Sequence, residues 1–166
     1  MPKSADPERN KIAAAVVRLL TQKKKTLALA ESCTGGFIAN QITNVSGASK
    51  IFVGGIVAYS NSMKEEFLGV KGSSLKKFGA VSEMVAREMA GGAREKIGAD
   101  FALAVTGIAG PAGGTKSKPV GTVFIALAGA FETVVERRVN RFSREKFKEI
   151  TARQALELLL RQGNDR

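Results

Sequence analysis

The pattern of apolar and polar positions predicts a chain of alternating helices and strands. Apolar residues return every three or four positions in three long stretches, the spacing of an amphipathic helix. The middle stretch is framed by Ser82, a good N-cap residue, and by Gly98, which is typical of a helix end. Three shorter stretches show the same periodicity. The predicted helices cover residues 8–23, 37–45, 62–68, 75–78, 83–97 and 146–161.

Short apolar runs between these helices predict the strands of one sheet. Three runs have the length of a buried strand. Two further runs flank Gly129 and Ala130 and predict an antiparallel hairpin. The predicted strands cover residues 26–30, 51–59, 101–105, 120–128 and 132–139.

Helices that bracket a sheet containing a hairpin predict an α/β fold. The expected architecture is a three-layer α/β/α sandwich with a mixed sheet. Neither an internal repeat nor a linker-like segment interrupts the 166 residues, so we expect a single domain over residues 1–166.

Two absences in the composition restrict the chemistry. The chain has one cysteine, Cys33, and no histidine. No intrachain disulfide can form, and the usual zinc sites, which draw on several cysteine and histidine ligands, are excluded. Mechanisms that use histidine as the base are excluded as well. If the protein is a hydrolase, its general base is a lysine, aspartate, glutamate or tyrosine.

The charge balance changes the expected partner. The formal net charge is +11 and the sequence pI is near 10.1, which favours phosphate-bearing partners, either a nucleic acid or a small nucleotide. No nucleic-acid-binding motif is visible. No apolar run approaches the roughly 20 residues of a membrane span. Residues 1–10 are polar and mixed in charge, unlike a signal peptide, so we expect a cytoplasmic protein.

Three glycine-bearing turns at predicted strand ends hold most of the small polar residues. They cover residues 32–36, 46–49 and 106–114. Glycine lets the backbone approach a ligand closely, and the first turn opens a helix whose free N–H groups favour an anion. The candidate nucleophiles in these turns are Ser32, Cys33, Thr34, Ser49 and Thr106.

Three more residues are candidates by position alone. Tyr59, the only tyrosine, follows an apolar strand, and Lys64 lies near the start of the next predicted helix. A lysine acts as a base only where burial or nearby positive charge lowers its pKa. Arg144 precedes the last helix, where phosphate binding would offset its unfavourable interaction with the helix dipole. Each of the three is also compatible with an ordinary surface role.

Several blocks of the sequence form an ordered set that covers roughly residues 27–160. The first block is Ala30-Glu31-Ser32-Cys33-Thr34-Gly35-Gly36. The others are Ser46-Gly47-Ala48-Ser49, Val57-Ala58-Tyr59-Ser60-Asn61 with Lys64, Gly79-Ala80-Val81-Ser82-Glu83, Thr106-Gly107-Ile108-Ala109-Gly110-Pro111 and Lys118-Pro119-Val120-Gly121-Thr122-Val123. Taken in this order, the blocks resemble the CinA C-terminal domain family, whose enzymatic members are nicotinamide mononucleotide deamidases.

The resemblance implies hydrolysis of nicotinamide mononucleotide to nicotinic acid mononucleotide and ammonia, with neither metal nor cofactor. By position it implies Ser49 as the nucleophile, Lys64 as its base and Tyr59 as an assisting residue. The substrate-binding positions that it implies are Ser32, Thr34, Gly35, Gly36, Thr106, Gly107 and Arg144.

One block departs from the family pattern. The Gly-Asp-Arg turn that is common before the last helix reads Arg141-Phe142-Ser143-Arg144 here, so either arginine is a candidate for the phosphate. The resemblance further implies the stand-alone form of the domain and a homodimer.

Two other functions compete with the amidohydrolase. One is a regulatory module that binds a pyridine nucleotide without turning it over. The other is nucleic-acid association, suggested by the net charge of +11. The absence of interleaved aromatic residues for base stacking argues against that last alternative.

Overall fold

Five strands form one mixed sheet in the order β2-β1-β3-β4-β5. The structure is a computed structural model that describes residues 7–164, and the side chains of residues 11–163. The strands are β1 (Leu27–Glu31), β2 (Phe52–Val57), β3 (Phe101–Gly107), β4 (Thr122–Ala128) and β5 (Thr133–Val139). Strands β2, β1 and β3 run parallel, whereas β4 and β5 continue antiparallel as the predicted hairpin.

Helices cover both faces of the sheet, so the predicted three-layer α/β/α sandwich is confirmed. The helices are α1 (Pro7–Lys23), α2 (Phe37–Thr43), α3 (Asn61–Leu68), α4 (Gly72–Phe78), α5 (Glu83–Ile97) and α6 (Arg144–Asn164), with a short 3-10 helix at Ala48–Lys50. Most of the polar amino-terminal stretch lies outside the described residues.

The two faces of the sheet carry side chains of different size. One face presents leucine, isoleucine and valine to α1, α2 and α6. The other face presents mainly alanine to α5, and its members on the strands are Ala28, Ala30, Ala102, Ala104, Ala126 and Ala128, joined by Phe124. Because alanine adds so little volume, α5 can pack closely against the sheet. Helix α5 also lies against the end of α3, where a Cβ on Gly92 would sit 1.7 Å from the Leu68 carbonyl oxygen.

Most element boundaries match the predicted ones within a few residues. Helix α5 has the predicted bounds, with the Ser82 hydroxyl accepting a hydrogen bond from the Val85 N–H. Strand β4 begins at Thr122 rather than at position 120, because Gly121 has a left-handed backbone, φ +95°. Helix α6 begins two residues early, so Arg144 belongs to its first turn.

The chain connections that follow β1 and β2 lie on opposite faces of the sheet. The chain leaves β1 through α2 on the leucine-rich face and leaves β2 through α3 to α5 on the alanine-rich face. The carboxyl ends of the three parallel strands therefore meet where the connections diverge, and such a point in an α/β sheet is where ligands bind.

Candidate active site

A pocket of about 290 Å³ lies at the carboxyl ends of the three parallel strands. Ser32 and Cys33 follow β1, Tyr59 follows β2, and Thr106 and Gly107 end β3. The remaining wall comes from the turn before α5 and from the loop after β3. The lining from these segments and from the starts of two helices is Asn61, Lys64, Ala80, Val81, Ile108, Ala109, Gly110, Ala112, Gly113 and Arg144.

The charged groups in the lining are both positive. Lys64 and Arg144 contribute an amine and a guanidinium, and no aspartate or glutamate of the described residues lines the pocket. Field lines are concentrated in a cleft lined by one sign of charge. The pocket is therefore suited to an anionic ligand.

Lys64 is the most unusual residue in the site. Its side chain is only 2% exposed, and its Nζ donates one 3.3 Å hydrogen bond, to the backbone carbonyl of Tyr59. Lys64 forms no ion pair with any carboxylate of the described residues. Burial lowers the pKa of this amine from its usual value of 10.5, although the neighbouring Cys33 works in the opposite direction. A larger fraction of neutral amine, which can accept a proton, is therefore present than for a surface lysine.

Ser32 contributes a hydroxyl and Cys33 a thiol to the lining of the pocket. Burial raises the pKa of the Cys33 thiol to about 12, and the negative charge of Glu31 adds to the increase. The thiol is thus held in its neutral, poorly nucleophilic form. The Ser32 hydroxyl has no hydrogen-bond partner among the described residues, although the Ser32 main chain is fixed by a hydrogen bond from its N–H to the Val105 carbonyl. Ser32 is therefore the better nucleophile of the two.

Thr106 connects the pocket floor to the turn before α5. Its hydroxyl donates a 2.8 Å hydrogen bond to the carbonyl of Ala80, and the side chain is fully buried. This bond holds Ala80 against the pocket. With its proton already donated, the Thr106 hydroxyl can offer only acceptor lone pairs to a ligand.

Arg144 joins three elements at the mouth of the pocket. Its Nη1 donates to the Gly110 carbonyl at 2.8 Å, and its Nη2 donates to the Tyr59 hydroxyl at 2.6 Å. The start of α6, the loop after β3 and the end of β2 are thereby linked. Arg141, the alternative left open by the sequence, is exposed and does not line the pocket.

The turn after β1 corrects one expectation. Thr34 and Gly36 do not line the pocket, and neither does Gly35. The Thr34 hydroxyl donates at 2.6 Å to the carboxylate of Glu31, which also accepts the Gly36 N–H. The N-terminal end of α2 is thus occupied by an internal carboxylate, so it is not the free anion site that the sequence indicated.

Ser49 also lies apart from the predicted cluster. It is exposed on the short 3-10 helix that precedes β2 and does not line the pocket. The structure therefore brings together Ser32, Tyr59, Lys64, Thr106, Gly107 and Arg144, and leaves Ser49 outside.

A larger groove of about 440 Å³ lies between α1, α2 and α6. Its lining contains basic residues and one acid, Glu149. Among the described residues, no serine, threonine or cysteine lines this groove, and no buried lysine does. The chemistry therefore points to the smaller pocket. Within the described part of the chain, no cluster of acids and cysteine is arranged to hold a metal ion, and no helix is long and apolar enough to cross a membrane.

Known proteins share both this fold and this sequence pattern. The sequence-family model of the CinA C-terminal domain matches residues 9–162 of this chain. This chain belongs to the CinA C-terminal domain family. A CinA-like protein from Thermotoga neapolitana is 58% identical over 112 residues, which are 68% of this chain and 28% of that protein. A CinA-like protein from Geobacter sulfurreducens is 52% identical over 152 residues, 92% of this chain and 37% of that protein.

Solved structures of CinA proteins superimpose closely on this domain. The competence/damage inducible protein CihA from Agrobacterium tumefaciens has a TM-score of 0.91 at 38% identity, covering 94% of this chain and 96% of that one. A CinA superfamily protein from Klebsiella pneumoniae has a TM-score of 0.92 at 30% identity, covering 95% and 99%. The chain thus spans nearly all of these solved CinA chains but only about a third of the curated relatives it matches.

Sequence reasoning assigned no role to Glu31, although the residue stands in the first CinA block. An acid at the end of a buried strand, just before a glycine turn that opens a helix, is a capping candidate, and this signal was available. It also assigned none to the apolar wall residues Ala80, Val81 and Ile108, because nothing in their chemistry distinguishes them from core residues.

Proposed function

We propose that this CinA domain is an amidohydrolase that converts nicotinamide mononucleotide to nicotinic acid mononucleotide and ammonia. The observation that carries the proposal is the buried Lys64 amine, which has a lowered pKa, at a pocket that is also lined by Ser32, whose hydroxyl has no hydrogen-bond partner among the described residues. A lysine of this kind can replace the histidine that the chain lacks.

Geometry favours Ser32 over Ser49 as the nucleophile. In the proposed first step the neutral Lys64 amine accepts the proton of the Ser32 hydroxyl while Oγ attacks the carboxamide carbon. Backbone N–H groups of the loop after β3 hold the resulting oxyanion. Lys64 then donates the proton to the departing nitrogen, the C–N bond breaks, and ammonia leaves.

The second half of the reaction reverses these proton transfers. Lys64 accepts a proton from water, whose oxygen attacks the ester carbon of the Ser32 acyl-enzyme. The Lys64 ammonium returns that proton to Ser32 Oγ as the ester bond breaks, which releases the carboxylic acid. Serine and lysine are both restored, with no cofactor consumed.

The positive pocket accounts for a nucleotide substrate. The guanidinium of Arg144 lies at the mouth with no carboxylate partner among the described residues, and such a group binds a phosphate through paired hydrogen bonds. The volume of about 290 Å³ lies at the lower end of ligand pockets, so it fits the pyridine ring and part of the ribose, with the phosphate at the rim.

Ammonia release from nicotinamide mononucleotide by the purified protein tests the proposal. We expect release by the wild type and a fall of about 1,000-fold or more in kcat for Ser32→Ala, as for other nucleophile deletions. If the wild type binds the nucleotide in calorimetry but releases no ammonia, the domain is a binding module and the amidohydrolase proposal is wrong.

A further inference from the structure

We propose that Glu31 is a positioning residue whose buried carboxylate fixes the turn that presents Ser32 to Lys64. The kinetic part of this inference rests on the amidohydrolase proposed above. The geometric part does not, because it concerns only how one side chain orders the turn that follows it.

The Glu31 carboxylate is surrounded by donors from the next eight residues. It is 2% exposed and accepts four hydrogen bonds. Oε2 accepts from the Thr34 hydroxyl at 2.6 Å, from the Gly36 N–H at 3.1 Å and from the Ile38 N–H at 3.0 Å, and Oε1 accepts from the Ala39 N–H at 2.8 Å. No lysine or arginine of the described residues forms an ion pair with it.

The turn between Glu31 and α2 needs such an anchor. Gly35 and Gly36 adopt left-handed backbone conformations, φ +61° and +94°, and glycine is the most flexible residue when nothing restrains it. The main chain of Ser32 is tied to β3 by its N–H, which donates to the Val105 carbonyl, and within the turn by its carbonyl, which accepts the Gly35 N–H. The Glu31 carboxylate ties the other side of the turn to α2 and thereby fixes where the Ser32 side chain points.

The same contacts decide where a substrate anion can bind. The carboxylate uses the N–H groups at the start of α2, so those groups are not available to a phosphate, and its charge would repel one. In the described part of the site the guanidinium of Arg144 is left as the exposed cation at the pocket mouth. Glu31 thus contributes both to aligning the nucleophile and to selecting the end of the pocket that receives the phosphate.

The kinetic test compares Glu31, at the end of strand β1, with Asp100, which precedes β3 and contacts the residue before β1. Glu31→Gln places an amide NH₂ against backbone donors, so we expect kcat to fall on the order of 100-fold, as for a displacement of about 1 Å, with little change in KM. Asp100→Asn is the matched control. Asp100 accepts the N–H and hydroxyl of Thr26, just before β1 and far from the pocket, and kcat should be unchanged.

Thr34→Val provides a milder variant that keeps the Glu31 carboxylate and removes one of its four donors. Positioning predicts a smaller fall in kcat at constant KM. A rise in KM at constant kcat would mean that Thr34 contacts the substrate directly, and would overturn the proposal.

The only cysteine of the chain gives a readout that needs no substrate. Cys33 follows Ser32 in the turn and is buried, so the rate at which a thiol reagent modifies it under native conditions reports local opening. We expect modification about tenfold faster or more in Glu31→Gln, where loss of the Glu31 charge also lowers the pKa of the Cys33 thiol. In Thr34→Val, which keeps that charge and therefore reports opening alone, we expect a smaller acceleration. Asp100→Asn should match the wild type.

The two readouts separate this inference from the proposed function. If the wild type releases no ammonia but Cys33 becomes reactive only in the Glu31 and Thr34 variants, the function is wrong and the ordering of the turn stands. If Glu31→Gln leaves Cys33 protected and kcat unchanged, or if Asp100→Asn exposes Cys33 equally, Glu31 is not a positioning residue.

Discussion

The guanidinium of Arg144 donates a 2.6 Å hydrogen bond to the hydroxyl of Tyr59, which connects the first turn of α6 to the segment that follows the edge strand β2. The same guanidinium donates to the Gly110 carbonyl, so one planar group serves two acceptors at the pocket mouth. A lysine amine cannot reproduce this two-pronged geometry.

Arg144→Lys should therefore raise KM for nicotinamide mononucleotide by about tenfold or more, the equivalent of one lost charged hydrogen bond. Steady-state kinetics measures this directly, with Arg141→Lys as the matched control because Arg141 is exposed and outside the pocket. If Arg141→Lys raises KM and Arg144→Lys does not, Arg141 is the phosphate ligand.

Alanine variants of Ser32 and Ser49 decide between the nucleophile that the pocket geometry favours and the one that the family resemblance implies. Ser32→Ala should lose activity by about 1,000-fold or more, since it removes the proposed nucleophile. Ser49→Ala, on the exposed 3-10 helix, should keep kcat and KM near the wild-type values. The opposite result would identify Ser49 as the nucleophile. Ser49 would then have to reach the substrate although it does not line the pocket.

The pH dependence of the rate should reflect Lys64. Burial lowers the pKa of Lys64 below 10.5, and only the neutral amine accepts a proton, so kcat/KM should increase with pH through that lowered pKa. A rate profile from pH 6 to 10 measures the rise. A rate that is constant over this range would contradict Lys64 as the base.

Replacing Lys64 should stabilise the protein while it inactivates it. The pKa of Lys64 is lowered on folding, so the unfolded chain binds more protons between the folded pKa and 10.5, and stability rises with pH in that interval. Lys64→Met removes the cost of burying the charge, so its midpoint of thermal unfolding should exceed that of the wild type at neutral pH. The difference should shrink as the pH approaches 10.5. A less stable variant at neutral pH would contradict the lowered pKa.

Gly92→Ala tests the close contact between α5 and α3. The added Cβ would meet the Leu68 carbonyl oxygen at 1.7 Å, and a backbone atom can move only with its helix. We expect a loss of about 1–3 kcal/mol in the free energy of unfolding, measured with urea. Gly91→Ala is the control, because its Cβ would meet no atom within 4 Å. Equal stability of the two variants would mean that the helices are farther apart.

The fold was predictable because its elements are strongly periodic. The central helix α5 has both a serine cap and a terminal glycine, and the two strands of the hairpin flank a short turn, so local chemistry defined them. The start of β4 was not predictable, since it depends on the left-handed backbone of Gly121 beside Asn140. The expected homodimer stays a prediction.

The candidate site was predictable where strand ends determined it. Ser32, Tyr59 and Thr106 meet because the carboxyl ends of parallel strands lie at one edge. The orientation of Thr34 was not predictable, because its hydroxyl turns inward to a carboxylate three residues earlier. Whether the Thr34 hydroxyl faces the pocket or the Glu31 carboxylate depends on packing, which the preferences of single residues do not encode.

The alanine-rich face of the sheet restricts how this domain can diverge during evolution. A larger residue at Ala28, Ala102 or Ala126 would push α5 away from the sheet, and the turn before α5 carries the pocket wall at Ala80. The loop after β3 contributes only Ala109 to the core clusters of the described residues, and loops accept insertions readily. Descendants of this chain that acquire new substrates should therefore differ in the length of residues 108–120 before they differ in the size of the residues beneath α5.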